Sequence, residues 1–149
     1  MKKIIIIGTE PTCPRCQLLI NVITSIIKEQ GLNASVKHLA YTSEEAQNIA
    51  AKNGLTAGTA KDVATIAQMK INTQEIARVI TTPAVDVNCE FYPYNDCKWS
   101  KELDELLRPF EEKAKEVGIM MTPVLVVNNE IKHQGSVPEF SKIIEWLNC

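Results

Sequence analysis

Two cysteines separated by two residues, Cys13-Pro14-Arg15-Cys16, stand between a short apolar run and a long amphipathic one. Ile4 to Ile7 are β-branched, preceded by Lys2-Lys3 and followed by Gly8, the pattern of a buried central strand. From Gln17 onward Leu18, Leu19, Val22, Ile23, Ile26 and Ile27 recur at helical spacing, and Gly31 supplies a C-cap. Both thiols therefore fall in the loop and first turn of a helix that follows a strand. A helical spacing of three puts them on one side, within reach of a disulfide.

That position has chemical consequences. The first N–H groups of a helix lack intrahelical partners, and the macrodipole adds partial positive charge there. Both stabilise a thiolate, and such sites lower a cysteine from about 8.5 to roughly 3.5–7.5. Cys13, at the exposed lip, is expected to be the nucleophile, and Cys16, one turn in, the resolving thiol. Pro14 at the first helical position leaves no N–H unpaired. Arg15 adds a fixed positive charge, and Glu10 opposes it if close. A C-x-x-C pair also serves as half of a zinc site or as a structural pair, and these two spacings alone leave those readings open.

The 149 residues suit one domain with a genuine core. Their net charge of −2 offers no electrostatic case for nucleic acid. The apolar run at Ile4–Ile7 falls short of the roughly 7–15 residues of a signal core. No stretch approaches the roughly 20 needed to span a bilayer. The expectation is a cytoplasmic protein, where five cysteines point to chemistry or metal before structural staples.

Ala34–Leu39 reads as a second strand, parallel to the first through a right-handed crossover, with His38 on its solvent side and inert. Ser43 caps a helix that stops at Gly54, and Leu55–Thr59 reads as loop. Helices follow over 60–69 and from Asn72-Thr73 to Val79. Val85, Val87, Cys89 and Phe91 alternate as a half-buried strand. Ser100 caps a long helix ending at Gly118, which Pro109 should kink or split near Arg108. Val124–Val127, Asn128-Asn129 and Glu130–Gln134 form a hairpin with a two-residue turn, and His133 lies on its surface. A final helix carries Phe140, Ile143, Ile144 and Leu147 inward.

Two motifs resemble the thioredoxin-like superfamily, most closely its small redox-active-disulfide and glutaredoxin-like members. One is Gly8-Thr9-Glu10-Pro11-Thr12-Cys13-Pro14-Arg15-Cys16; the other is Met121-Thr122-Pro123-Val124-Leu125-Val126-Val127, continued by the hairpin and Gly135-Ser136-Val137-Pro138. The resemblance covers roughly residues 1–40 and 100–148. It implies an α/β fold with a central four-stranded mixed sheet flanked by helices, in a single domain over 1–149. A mainly helical insertion, about 41–99, then lies between the second strand and the long helix before the hairpin. It also implies that Pro123 is cis beside the cysteines, with the backbone of Thr122 free to pair with an incoming peptide. Thr82-Pro83 begins a second copy of the Thr-Pro pattern, so Pro83 is a competing candidate. Arg15 stands where glutaredoxins usually carry an aromatic, Thr12 stands where thioredoxins carry tryptophan, and no paired-glycine glutathione site follows the hairpin.

The function expected is thiol–disulfide oxidoreduction without a cofactor, on a protein disulfide or dithiol and with a reductase as second partner. Cys13 attacks and Cys16 resolves, supported by Thr12, Pro14, Arg15, Thr122 and Pro123. Cys89 and Cys97 are candidates for an auxiliary redox pair. The alternative is a thiolate metal-binding or metal-sensing protein in which Cys89, Cys97 or Cys149 joins Cys13 and Cys16. A third reading is a binding adaptor that works through the insertion.

Overall fold

The computed structural model describes residues 1–96 and 98–149. Lys2–Gly8 form strand β1, and Pro14–Gln30 form helix α1, closed by Gly31 in the left-handed conformation. Ala34–Ala40 form β2, parallel to β1, with Ile6 opposite His38. At the other end of the chain Val124–Val127 (β5) run antiparallel to β1. They turn through Asn128 and Asn129, both at positive φ, into Glu130–Gln134 (β6). The sheet order is β2-β1-β5-β6, a four-stranded mixed sheet. Ile4, Ile6, Leu125 and Val127 feed one apolar cluster, shared with α1 and the C-terminal helix α6 (Phe140–Asn148). Ile7, Val124 and Val126 feed another, with Leu39 and with Ala46 and Ala50 of helix α2 (Glu44–Lys52). Burial on both faces is why β1 and β5 are unbroken apolar runs rather than alternating ones.

The middle of the chain differs from the reading above in three places. First, Thr56–Gly58 are not loop but a strand, β3, parallel to Ile119–Met121 (β4) in a separate two-stranded sheet. Three residues are too few for periodicity to reveal. Second, the alternation at 85–91 does not form a strand. The Asp86 carboxylate accepts the Asn88 N–H and its carbonyl accepts the Cys89 N–H, closing a turn that leaves Val85 and Val87 exposed. Phe91 alone is buried there, with its ring edge-on to Trp99 and Phe140. Third, α5 (Lys101–Ala114) runs unbroken through Pro109. Glu105, Arg108 and Pro109 all face solvent, so the carbonyl that loses its N–H partner can turn to water.

Helices α3 (Ala60–Ala67) and α4 (Thr73–Thr81) lean on α5. Asn72 caps α4 by accepting the Glu75 N–H, and a capping box between Thr59 and Asp62 starts α3. Among the described residues no helix is long and apolar enough to cross a membrane.

Candidate active site

Cys13 is the N-cap of α1: its backbone is extended, and its carbonyl accepts the Gln17 N–H at 2.9 Å. Its own N–H donates to Thr9 Oγ1 at 2.9 Å, and Thr12 Oγ1 donates to Gln17 Oε1 at 2.6 Å. These bonds fix the loop that presents the first sulfur. Cys13 is partly exposed and Cys16 fully buried, with their sulfurs 3.3 Å apart. The two thiols are shifted in opposite directions. Cys13 is lowered from 9.0 to about 6, chiefly by the hydrogen bond it receives from the Cys16 thiol; the Cys16 and Arg15 backbone N–H groups and the Arg15 charge assist against burial. Cys16 is raised well above its ordinary value, because that bond holds its proton in place and burial disfavours its anion. The largest cause is thus the partner sulfur rather than the helix end or Arg15.

The Thr122–Pro123 peptide is cis, and so is Glu10–Pro11, which the sequence did not signal. Thr122 and Cys13 line one hollow of about 420 Å³, walled by Ile71, Ile76 and Ile80 beside α5 residues Leu103 and Leu107. Pro83 lines a different hollow, with Cys89 and Trp99. One expectation is corrected here: the Thr122 N–H is not free, because it donates to the Gly58 carbonyl at 2.9 Å. The parallel pairing of β3 with β4 ends at Gly58 and Met121, which carries that carbonyl to the next N–H along.

Arg15 points inward. Its Nε donates to Asp104 Oδ1 at 2.6 Å, its Nη2 donates to the Gly135 carbonyl, and Asp104 Oδ2 accepts from Trp99 Nε1 at 3.2 Å. Arg15 and Asp104 are both buried. Burial pushes the Asp104 carboxyl up while Arg15 and Trp99 pull it down. One side chain of the C-x-x-C turn therefore fastens α1 to α5 and to the end of the hairpin.

The other cysteines are placed apart from this arrangement or lie beyond description. Cys89 is half-buried in the 86–89 turn, not in a strand. Cys149 is exposed, its thiol donating to the Glu145 carbonyl at 3.0 Å. The candidate Cys97 lies outside the described residues. Among the described residues no three His, Cys, Asp or Glu side chains gather as a metal ion requires.

Gly8, Thr9, His38 and Asp104 stand at the site; the sequence reading holds Gly8 and Thr9 only as parts of a motif, sets His38 aside as inert and does not single out Asp104. Asp104 was detectable: it shares helical spacing with Leu107, so it faces inward and needs a cation. His38 is on the α1 face rather than the solvent side, because it shares strand parity with Val36, which packs on the α1 cluster. Gly8 is dictated by closeness. A Cβ there would stand 2.5 Å from Cys16 Sγ and 3.0 Å from Cys16 Cβ. Gly8→Ala is therefore expected to destabilise the reduced protein by about 1–3 kcal/mol, the usual overpacking cost, and to raise the Cys13 titration as the sulfurs separate. Urea unfolding and pH-dependent alkylation check both, and an unchanged midpoint together with an unchanged titration refutes the steric account.

A family model described as a thioredoxin domain matches residues 95–148, which hold α5, the cis-proline turn, the hairpin and α6. No match was found to a curated protein or to a solved structure. The cysteine pair lies outside the matched segment and meets it in space, through β1 pairing with β5 and Arg15 pairing with Asp104. The matched segment is thus similar to a thioredoxin domain, and the four-stranded mixed sheet and the Thr122–Pro123 turn around it support a thioredoxin-like assignment.

Proposed function

We propose that the protein is a cytosolic thiol–disulfide oxidoreductase acting on disulfides of other polypeptides. The observation that carries this reading is the pair of sulfurs 3.3 Å apart with opposed acidities, opening on an apolar hollow. The Cys13 thiolate attacks one sulfur of the substrate disulfide, and the other sulfur leaves as a thiolate. Cys16 then attacks Cys13 Sγ, releasing the second substrate thiol and leaving a Cys13–Cys16 disulfide. The substrate gains two electrons and the protein loses them, and a separate dithiol reductase restores the starting state. The hollow suits an apolar side chain flanking the substrate cysteine.

Magnitudes show what the lowered pKa of Cys13 achieves. At pH 7 a thiol at about 6 is roughly nine-tenths ionised, against about one part in a hundred for a thiol at 9.0. Intrinsic nucleophilicity falls with basicity, so about twentyfold of that gain is lost and attack speeds up only severalfold. The larger benefit is to Cys13 as a leaving group when its own disulfide is reduced.

The test is the rate of iodoacetamide alkylation against pH, alongside insulin reduction driven by dithiothreitol. Alkylation at Cys13 should rise through pH 6 and flatten above it, because only the anion reacts. A midpoint near 9 without insulin reduction would falsify the reading. Ile76→Glu, at the wall of the hollow, is expected to raise KM for a polypeptide disulfide about tenfold, the worth of roughly one lost apolar side-chain contact. The effect should be smaller on a small aromatic disulfide. Equal KM changes for both substrates count against the hollow as a polypeptide subsite.

A further inference from the structure

A thiol that must attack while buried and reluctant to ionise needs somewhere for its proton to go. The surroundings of Cys16 provide one such acceptor. His38 lies opposite Ile6 in the sheet, its side chain about one-fifth exposed, and its Nε2 is buried with no hydrogen-bond partner among the described residues. A buried ring nitrogen left unpaired is costly, and such an atom calls for a functional explanation. The space above Gly8 supplies it. One point there, where a side chain would begin, is 2.5 Å from Cys16 Sγ and 3.4 Å from His38 Nε2, which holds nitrogen and sulfur within about 6 Å of each other. That is the span of a direct contact after a small movement, or of one bridging water. On the far side of the ring, Nδ1 faces the Glu10 carboxylate at 3.4 Å. A carboxylate opposite Nδ1 favours the tautomer with its proton there, leaving Nε2, the nitrogen beside Gly8, as the acceptor.

We infer that His38, oriented by Glu10, accepts the Cys16 proton when Cys16 attacks the mixed disulfide. The inference rests on the dithiol reading above. In the forward step the Cys16 S–H bond breaks and its proton passes to His38 Nε2. The Cys16 sulfur forms a bond to Cys13 Sγ, and the Cys13–substrate bond breaks with its electron pair leaving on the substrate sulfur. The imidazolium then gives its proton to that thiolate or to solvent. Gly8 is part of the device, since any side chain there would fill the space between ring and sulfur. Near the ring stand Glu10 from the β1–α1 loop, Gly8 from β1 and Cys16 from α1.

The two steps can be timed separately with an aromatic disulfide whose thiol product is coloured. Attack by Cys13 releases the first coloured thiol, and resolution by Cys16 releases the second. In His38→Gln the first release should keep its rate while the second slows at least tenfold. Glu10→Gln, a change at an exposed side chain, should slow the second release severalfold and covers the case in which His38→Gln does not fold. Two variants with second releases at the parent rate overturn the relay. Slowing of both releases by the same factor also overturns it, because the ring then acts only through the fold. Absence of a first release in the unmodified protein is a different failure: it removes the dithiol reading, and this inference with it.

Discussion

Cys16→Ser is expected to stop turnover at the mixed disulfide, lowering insulin reduction at least a hundredfold while substrate stays covalently attached to Cys13. The serine hydroxyl can still donate to the Cys13 sulfur, so the thiolate should persist and the first attack should survive. Nothing then remains one turn inside to displace the bound substrate. Adducts should appear on non-reducing gels, disappear with dithiothreitol, and map to Cys13 by mass spectrometry. Cys16→Ala separates the two tasks of this residue. Without a donor, Cys13 loses the largest cause of its lowering and should titrate well above 6. A serine variant that turns over at the parent rate would show that Cys16 is a bystander.

Asp104→Ala should cost about 3–5 kcal/mol of stability, the penalty for leaving one member of a buried ion pair without its partner. Arg15 would keep only the Gly135 carbonyl, and Trp99 Nε1 would lose its acceptor at the same moment. Asp104→Asn should be milder, since an amide oxygen can still accept from one of them. Urea unfolding of the reduced protein measures both. The site should feel the change too, because α1 is tied to α5 through this pair. A loss below about 1 kcal/mol for the alanine variant would mean that water reaches Arg15 and that the pair is not an anchor.

The parts of the molecule that were legible in its sequence are those where local pattern and tertiary environment agree. The β-branched run before the cysteines, the helical spacing after them, Gly31, and the two asparagines of the hairpin each have one comfortable conformation, and each adopts it. The cysteine pair and the Thr122–Pro123 bond were legible as motifs. What was missed depends on contacts between distant residues. Val85 and Val87 carry a strand pattern, yet no strand stands beside them and Asp86 closes the turn. Thr56–Gly58 carry no pattern at all and become a strand because β4 is there to pair with. His38 is a polar residue at an inward position, which one side of a contact cannot announce.

The pairing of β3 with β4 has a mechanical consequence. The Gly58 carbonyl grips the peptide just before the cis-proline turn, and Thr59 and Ala60, immediately beyond it, line the wall of the hollow. A ligand wedged against α3 would therefore tug, through a single short lever, on the turn that shares this hollow with Cys13. Excising residues 56–58 would shorten the chain by little and unfasten the turn, so these three residues are not a dispensable ornament on a smaller scaffold.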